Sequence, residues 1–320
     1  MLTRHLSVLG EKRAMHALSE RVRTYRNHHL DSTRWEAFRP RPDDIVIATS
    51  MKSGTTWTQA IVANLLFPDG AFPEPPWRMS PWLDLRPPPL DEMIAMLEAQ
   101  AHRRFIKTHL PLDALPYTPE LKYIFIGRDG RDVAMSLWNH YRNYTDDAFA
   151  RYNTPEGRIG DALPRPPESI KAFWRDWCTK GWFAWEHDGW PFWSHLTVVE
   201  SWWRFRGLPN ILVLHYADMT RDPAGSIRRI ADFLEIELGQ RRLAQVAEAT
   251  SLATMRQQGE SYVPGAGRSF KNGTDTFLHK GTNRQWAGVI PAEDLALYDA
   301  AAEHVLSNDC RVWLEHGEAG

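Results

Sequence analysis

The strongest constraint on this 320-residue chain is a short polar loop between an apolar run and an amphipathic helical pattern. The apolar run covers residues 45–48, and the loop at 49–57 reads Thr-Ser-Met-Lys-Ser-Gly-Thr-Thr-Trp. Behind it, Trp57, Ile61 and Leu65 recur at helical spacing on one face. The pattern predicts a strand that turns through one glycine into a helix. The first N–H groups of such a helix are unpaired and, with the helix dipole, favour a bound phosphate or sulfate.

The side chains of the loop add a cation and hydroxyl donors to those backbone groups. Lys52 supplies the positive charge, and the hydroxyls come from Ser53, Thr55 and Thr56. The order excludes the Walker A loop of nucleotide-binding proteins, because Lys52 precedes the only glycine, Gly54. The sequence therefore predicts an anion site of another kind, with an ordinary capped helix and a solvated lysine as the alternative.

The composition limits the kind of protein that carries this site. A length of 320 residues with 43% hydrophobic residues fits one large α/β domain or two small ones. A net charge of −2 and an isoelectric point near 6.7 argue against a nucleic-acid-binding surface. Cys178 and Cys310 cannot form a disulfide framework, and no Cys/His set has zinc spacing, so we expect no metal site.

Nothing in the chain has the pattern of a membrane span or a secretion signal. No run approaches the roughly 18 apolar residues that a span requires. The N-terminal region, with Arg4, Lys12 and Arg13 among short apolar patches, lacks the apolar core of a signal peptide. We therefore expect a cytoplasmic protein.

Strand-like and helix-like segments alternate along the chain. Buried strands are predicted at 45–48, 104–108, 121–127 and 210–214, with helical patterns between them. This alternation predicts an α/β fold with a central parallel sheet flanked by helices on both faces. Ligands of such sheets bind at the carboxyl ends of the strands.

Polar side chains stand at several of those strand ends. Lys107 and His109 end the second predicted strand, Arg128 ends the third, and Tyr216 follows the fourth. Ser136 lies in the helix behind Arg128. Because parallel strands share one carboxyl edge, the sequence predicts that these side chains line a binding site together with the loop.

The loop resembles the 5′-phosphosulfate loop of the cytosolic-type sulfotransferases that use 3′-phosphoadenosine 5′-phosphosulfate (PAPS). The usual form of that loop is Thr-Tyr-Pro-Lys-Ser-Gly-Thr-Thr-Trp, and residues 49–57 match it at seven of nine positions. Ser50 and Met51 replace the tyrosine and the proline, which leaves the donors of the loop unchanged.

The segment after the third strand is similar to the 3′-phosphate segment of the same family. The resemblance implies that Arg128 and Ser136 hold the phosphate on the ribose of PAPS. A planar guanidinium suits this role because it binds phosphate oxygens in a bidentate way. For Arg128 alone, a salt bridge with Asp129 or Asp132 is the alternative.

Two further segments resemble the family. Residues 105–111, Phe-Ile-Lys-Thr-His-Leu-Pro, are similar to the segment that supplies the catalytic base, which implies that His109 removes a proton from the acceptor hydroxyl. A histidine satisfied by backbone groups is the alternative. In residues 277–286, Lys280 and Gly281 keep their places in the family's Arg-Lys-Gly-x-x-Gly-x-Trp pattern, whereas His279 replaces the arginine and Arg284 the second glycine.

The resemblance also implies an adenine site and one fold for the whole chain. Trp57 would stack on the adenine ring, Tyr216 and Thr250 would contact its edge, and Leu252 would cover it where the family has phenylalanine. The matched segments run from residue 45 to residue 286 in the family's order. They imply a P-loop-like three-layer fold in a single domain over residues 1–320.

The implied activity is transfer of the sulfuryl group from PAPS to a hydroxyl of a small, apolar or aromatic acceptor, with 3′-phosphoadenosine 5′-phosphate (PAP) as the product. His109 would be the general base in an in-line transfer, Lys52 would neutralise charge on the bridging oxygen, and Lys107 would hold the sulfuryl oxygens. No metal is implied. A nucleotide-dependent kinase that uses Mg²⁺ and ATP, and a catalytically silent nucleotide-binding protein, are the alternatives.

Two segments outside these matches have predicted roles. Residues 145–193, rich in proline, glycine, charge and tryptophan, are predicted to form an insertion or lid on the acceptor side. Residues 256–276, rich in glycine, are predicted to form a flexible flap over the cofactor. The sequence does not indicate whether the protein is a monomer or an oligomer.

Overall fold

Four parallel strands form the sheet at the centre of the computed structural model, which describes residues 22–263 and 265–318. The strands are β1 (Ile45–Thr49), β2 (Phe105–Thr108), β3 (Lys122–Gly127) and β4 (Ile211–His215), in the spatial order β2-β1-β3-β4. Ile45 of β1 lies opposite Phe105 of β2 on one side and Lys122 of β3 on the other. The predicted parallel sheet is confirmed.

Helices connect these strands and continue to the C-terminus. The described α-helices are α1 (Thr55–Leu66), α2 (Pro76–Met79), α3 (Leu90–Glu98), α4 (Gly130–Arg142), α5 (Asp146–Tyr152), α6 (Ile170–Thr179), α7 (His195–Trp203), α8 (Tyr216–Arg221), α9 (Pro223–Phe233), α10 (Gln240–Ala249), α11 (Leu252–Gln257), α12 (Gly259–Tyr262), α13 (Ala266–Ser269), α14 (Gly273–Phe277), α15 (Ala292–Val305) and α16 (Asn308–His316). Two 3₁₀ turns lie at Ser32–Ala37 and Leu112–Ala114.

The sheet is buried on both faces, as its apolar strands require. Successive side chains of a strand point to opposite faces. Val46 and Ala48 belong to one apolar cluster, which includes residues of α4 and α7. Ile45 and Ile47 belong to a second cluster, which includes residues of α1 and α9. The three-layer arrangement predicted from the sequence is therefore confirmed.

The two segments with predicted lid and flap roles contain helices. Residues 145–193 include α5 and α6, whose first turns are capped by the side chains of Thr145 and Ser169. Residues 256–276 hold the end of α11, all of α12 and α13 and most of α14, so this segment is a series of short helical turns. Their roles over the acceptor and the cofactor stay predictions.

Half of the eight tryptophans between positions 174 and 203 are buried in the core. Trp177 and Trp202 are at most 1% exposed. Trp193 is also buried, and its indole N–H donates to the carbonyl oxygen of His109 at 3.1 Å. Trp193 and Trp202 therefore hold the backbone that follows β2, because the indole N–H of Trp202 donates to the carbonyl oxygen of Leu110 at 3.2 Å.

None of the described helices is long and apolar enough to cross a lipid bilayer. Residues 1–21, on which the expected absence of a signal peptide rests, lie outside the described residues. The cytoplasmic location stays a prediction.

Candidate active site

The loop between β1 and α1 turns through two residues in the left-handed backbone region. Lys52 has φ 63° and Gly54 has φ 99°, and α1 begins immediately after Gly54. A Cβ at Gly54 would lie 2.9 Å from a ring carbon of Tyr216, so glycine is required here by space as well as by conformation. The N–H groups of Ser53 and Gly54 make no hydrogen bond with a described residue. They remain available to an anion, together with the first turn of α1.

The Lys52 ammonium lies among aromatic and polar groups. Its Nζ is 3.4 Å from Nδ1 of His140, 3.4 Å from the carbonyl oxygen of Phe277 and 4.4 Å from the centre of the Phe277 ring. Burial, with Arg128 and Lys107 nearby, lowers the pKa of Lys52 to about 7. A nearby anion favours the charged form of such a lysine, so the site is suited to binding one.

Lys107 supplies a second cation at the end of β2. Its Nζ lies 4.6 Å from the centre of the Trp82 ring. Burial lowers the pKa of Lys107 to about 8, and the nearby Asp84 opposes this shift. Asp84 is fully buried and accepts hydrogen bonds from Nε1 of Trp82 at 2.6 Å and from the N–H of His109 at 3.3 Å. Asp84 therefore bonds to the backbone of His109 and lies close enough to Lys107 to influence its pKa.

His109 is oriented through one of its ring nitrogens. Nδ1 lies 2.8 Å from the carbonyl oxygen of Thr49, which can only accept, so Nδ1 carries the proton and Nε2 has the free lone pair. Nε2 has no hydrogen-bond partner in the described part of the chain. Burial, assisted by Lys107, lowers the pKa of His109 well below its usual value. A neutral imidazole with a free Nε2 can accept a proton from a hydroxyl group.

The Arg128 side chain links the loop to the C-terminal part of the chain. Its Nη1 donates to the carbonyl oxygen of Lys52 at 2.8 Å, and its Nη2 donates to the carbonyl oxygen of Thr282 at 2.9 Å. Nε is buried without a partner among the described residues. A buried guanidinium N–H without a partner fits an anionic ligand. The alternative ion pair with Asp129 or Asp132 is not found among the described residues.

One face of α4 runs between these groups. Asp132, Ser136 and His140 are four residues apart and share that face. The carboxylate of Asp132 accepts the N–H groups of residues 284 and 285, both at 2.7 Å, while His140 contacts Lys52. Ser136 shares this face of α4, and its phosphate role stays a prediction.

The segment at 279–286 closes this arrangement. Gly281 has φ 65°, and its carbonyl oxygen accepts the hydroxyl of Tyr216 at 3.2 Å. Arg284 has φ 59° and so adopts a left-handed conformation where the family pattern has glycine. Lys280 is exposed. Burial and the adjacent Lys280 lower the pKa of His279, which is therefore a weaker cation near pH 7 than the arginine it replaces.

Three of the predicted adenine contacts lie together. Trp57 and Tyr216 meet edge to face, with ring centres 5.9 Å apart. A Cβ at Gly281 would lie 3.4 Å from both a methyl carbon of Leu252 and the hydroxyl of Tyr216. The hydroxyl of Thr250 donates to a carbonyl oxygen of α10 at 2.8 Å, so its contact with adenine stays a prediction.

The structure adds four residues that the sequence reasoning did not identify. Asp84 and His140 contact predicted site residues, and Ser50 in the loop forms a hydrogen bond with His195. The spacing of His140 from Ser136 could have indicated its place on α4. Asp84 and His195 carry no local signal, because their partners are distant in sequence.

Among the described residues, no group of three or more His, Cys, Asp or Glu side chains could hold a metal ion. The strand β3 is followed by Arg128, where the Walker B strand of a kinase would present a carboxylate. The positive charges of Arg128, Lys52 and Lys107 fit anionic phosphate groups.

Comparison with known proteins identifies the family. The sulfotransferase domain model matches residues 42–308, and the chain belongs to this family. It is 30% identical over 319 residues to a glycolipid sulfotransferase of Mycobacterium bovis, with 95% of this chain and 97% of the relative covered. It is 27% identical over 275 residues to sulfotransferase 1A1 of Bos taurus, with 83% of this chain and 84% of the relative covered.

A solved structure shows the same fold. Mouse sulfotransferase SULT7A1, crystallised with PAP, superposes with a TM-score of 0.66 at 22% sequence identity, over 90% of this chain and 94% of the mouse chain. The fold and the family predicted from the sequence are confirmed.

Proposed function

We propose that the protein transfers the sulfuryl group of PAPS to a hydroxyl of a small-molecule acceptor and releases PAP. The observation that carries this proposal is the connection between the anion loop and Arg128. The guanidinium donates to the carbonyl oxygen of Lys52, and its buried Nε has no partner in the described part of the chain. The loop and the guanidinium thus form two adjacent anion sites, which suits a ligand with phosphate groups at two positions.

The donor would be held by residues from several parts of the chain. The 5′-phosphosulfate contacts would come from the loop and α1, namely Lys52, Ser53, Gly54, Thr55 and Thr56. The 3′-phosphate contacts would come from Arg128, Ser136 and the segment at 279–281. The adenine would lie against Trp57, Tyr216 and Leu252.

Each reacting group has a residue suited to it. PAPS, when bound, supplies the sulfuryl group. His109 accepts the proton of the acceptor hydroxyl at Nε2. Lys52 offers a positive charge to the bridging oxygen and Lys107 a second one to the sulfuryl oxygens. This is catalysis by positioning and electrostatic stabilisation.

The acceptor we propose is an apolar or aromatic alcohol or phenol, including the sugar hydroxyl of a glycolipid. The ring of His109 has its centre 4.6 Å from that of Trp82 and 6.4 Å from that of Trp193. Aromatic surfaces beside the base favour apolar groups and the flat faces of sugars. The mycobacterial relative is a glycolipid sulfotransferase, which supports the lipid-linked option.

Calorimetric titration with PAP and with ADP, both without Mg²⁺, tests the donor site. Micromolar or tighter binding that requires the 3′-phosphate is the expected result. Equal binding of both nucleotides, or none, would contradict the proposal, and binding of ATP that depends on Mg²⁺ would favour a kinase. PAP binding without sulfuryl transfer from PAPS to any phenol, alcohol or glycolipid would favour a silent binding protein.

A further inference from the structure

One buried histidine connects the two anion sites. His195, the first residue of α7, is 3% exposed. Its Nε2 lies 3.0 Å from the carbonyl oxygen of Arg128, and its Nδ1 forms a hydrogen bond with the hydroxyl of Ser50. The loop after β1 and the end of β3 are therefore held to the same imidazole ring.

The partners of the ring fix its tautomer. A carbonyl oxygen only accepts, so Nε2 of His195 donates to Arg128 and Nδ1 accepts from the Ser50 hydroxyl. Burial lowers the pKa of His195 to about 3, which keeps the ring neutral. The ring thus has one donor and one acceptor, and both are used.

Each residue bonded to His195 is linked to a group that we propose binds PAPS. The Ser50 oxygen lies 3.0 Å from the hydroxyl oxygen of Ser53, a residue of the anion loop. The Arg128 carbonyl belongs to the residue whose guanidinium contacts the carbonyl oxygen of Lys52. His195 therefore bonds directly to Ser50 in the anion loop and to the backbone of Arg128 in the second anion site.

The surroundings hold His195 in place. The N–H of Ser194 donates to the carboxylate of Glu186 at 3.0 Å, and the Ser194 hydroxyl donates to Asp188 at 2.5 Å and accepts the N–H of Thr197 at 2.8 Å. These bonds cap α7 at the residue before His195.

The ring of His195 is closely packed. A Cβ at Gly130 would lie 3.2 Å from Cδ2 of His195, so the ring packs closely against the start of α4. The cavity that borders both Ser50 and His195 has a volume of about 10 Å³. This is space for no more than one water molecule.

We propose that His195 is a positioning residue, which sets the spacing between the anion loop and Arg128 so that both phosphate groups of the donor are bound at once. The proposal rests on the proposed donor site. It assigns to Ser50, which replaces the tyrosine of the usual family loop, the role of attaching that loop to α7.

The test separates the two phosphate sites by comparing two ligands. The dissociation constants of 5′-AMP and PAP are measured calorimetrically, and their ratio gives the gain from the 3′-phosphate. We expect His195→Leu to reduce this ratio about tenfold and Ser50→Ala about fivefold. His195→Gln should stay within about twofold of the wild type, because an amide keeps one donor and one acceptor.

Ser201→Ala is the matched control. Ser201 also lies in α7 and accepts the N–H of Leu112 at 3.0 Å, but it has no contact with the loop. The Ser201→Ala variant should have a lower melting temperature but an unchanged ratio of the 5′-AMP and PAP dissociation constants. A purely structural role for His195 would make His195→Leu behave in the same way.

An unchanged ratio in His195→Leu would overturn the proposal, as would an equal loss in His195→Gln. If His195→Leu does not fold, an unchanged ratio in Ser50→Ala overturns it. A wild-type protein that binds neither ligand would instead overturn the proposed function, and this inference with it.

Discussion

At the scale of single residues, the candidate base is oriented by a backbone group, and separate lysine side chains carry the positive charge. His109 is held through Nδ1 by the carbonyl oxygen of Thr49, and no described residue bonds to its Nε2. The two lysines provide positive charge with lowered pKa values, about 7 for Lys52 and about 8 for Lys107. Proton acceptance and anion binding are therefore assigned to different side chains.

Replacement of His109 tests the proton acceptor. We expect His109→Ala to reduce the rate of sulfuryl transfer at least a hundredfold, because general-base catalysis contributes about 10²–10⁴-fold. PAP affinity should change by less than threefold, because the imidazole makes no contact with the anion loop other than through Thr49. Steady-state rates and PAP calorimetry measure the two effects. An active His109→Ala enzyme would contradict the base assignment.

The lowered pKa of Lys52 predicts that PAP binding is coupled to proton uptake. With its pKa at about 7, Lys52 is largely neutral at pH 8 in the free protein, and a bound phosphate favours its charged form. We expect uptake that rises toward one proton per PAP from pH 7 to pH 8.5, and an affinity that falls over that range. Calorimetry in buffers of different ionisation enthalpy measures the uptake.

Lys52→Arg is the control for that measurement, because arginine stays protonated throughout this range. It should lose most of the uptake, and what remains above pH 8 should come from Lys107. Protons taken up by the phosphate groups of PAP itself are common to both proteins. Identical uptake in both would show that Lys52 is already charged in the free protein.

Residue types with a local pattern were predictable, whereas residues defined by distant partners were not. The position of Gly54 between an apolar run and a helix indicated its turn, and the structure shows the left-handed conformation that requires it. Ser50 and His195 are 145 positions apart, and Asp84 contacts His109 across 25 positions. No periodicity or motif links such pairs, because only the packing of the sheet and α7 brings them together.

At the scale of elements, two buried carboxylates from the segment before α7 bind the residue that caps this helix. Glu186 is 5% exposed and Asp188 is fully buried, and both accept hydrogen bonds from Ser194. Burial raises the pKa of Glu186 to about 8 and that of Asp188 to about 6. A negative charge on these groups would be favourable at the N-terminus of α7, but burial disfavours that charge.

The raised pKa of Glu186 predicts a stability that falls as pH rises. The folded protein retains a proton on this group up to about pH 8, whereas the unfolded chain releases it near pH 4.3. Its stabilising contribution is present below pH 4.3 and is lost progressively between there and pH 8. We expect Glu186→Gln to show a smaller loss of melting temperature than the wild type between pH 5 and pH 8.

Glu92→Gln, at an exposed position on α3, is the control and should follow the wild-type pH dependence. Calorimetric melting at several pH values supplies the comparison. A wild-type slope unchanged in Glu186→Gln would show that this carboxylate does not retain a proton in the folded state.

The elements themselves were predictable in proportion to the strength of their periodicity. Each of the four strands begins and ends within one residue of its predicted position. The helix α5 and the short turns α12–α14 were missed, because each has seven residues or fewer and contains glycine or charged residues without an apolar repeat. The side chain of Thr145 caps α5, whereas α12, α13 and α14 have no side-chain cap among the described residues.

At the scale of the whole molecule, the candidate donor site is assembled from distant parts of the chain. The loop after β1, the end of β3, one face of α4, the start of α8 and the segment at 279–286 all contribute to it. Side chains that attach the last segment include Arg128, which contacts Thr282, Tyr216, which contacts Gly281, and Asp132, which binds two N–H groups. The candidate site is therefore complete only when residues 279–286 are held against the rest of it.

Asp132 provides the test of this dependence, because its carboxylate binds the N–H groups of residues 284 and 285 without belonging to the loop. In Asp132→Ala, we expect faster amide hydrogen exchange in residues 279–286 and PAP binding about tenfold weaker, with 5′-AMP binding changed less than threefold. Asp132→Asn keeps one acceptor oxygen and should fall between the two proteins. Equal weakening of both ligands would mean that Asp132 supports the loop directly. Unchanged exchange would mean that the other contacts of the segment, such as those of Arg128 and Tyr216, hold it without Asp132.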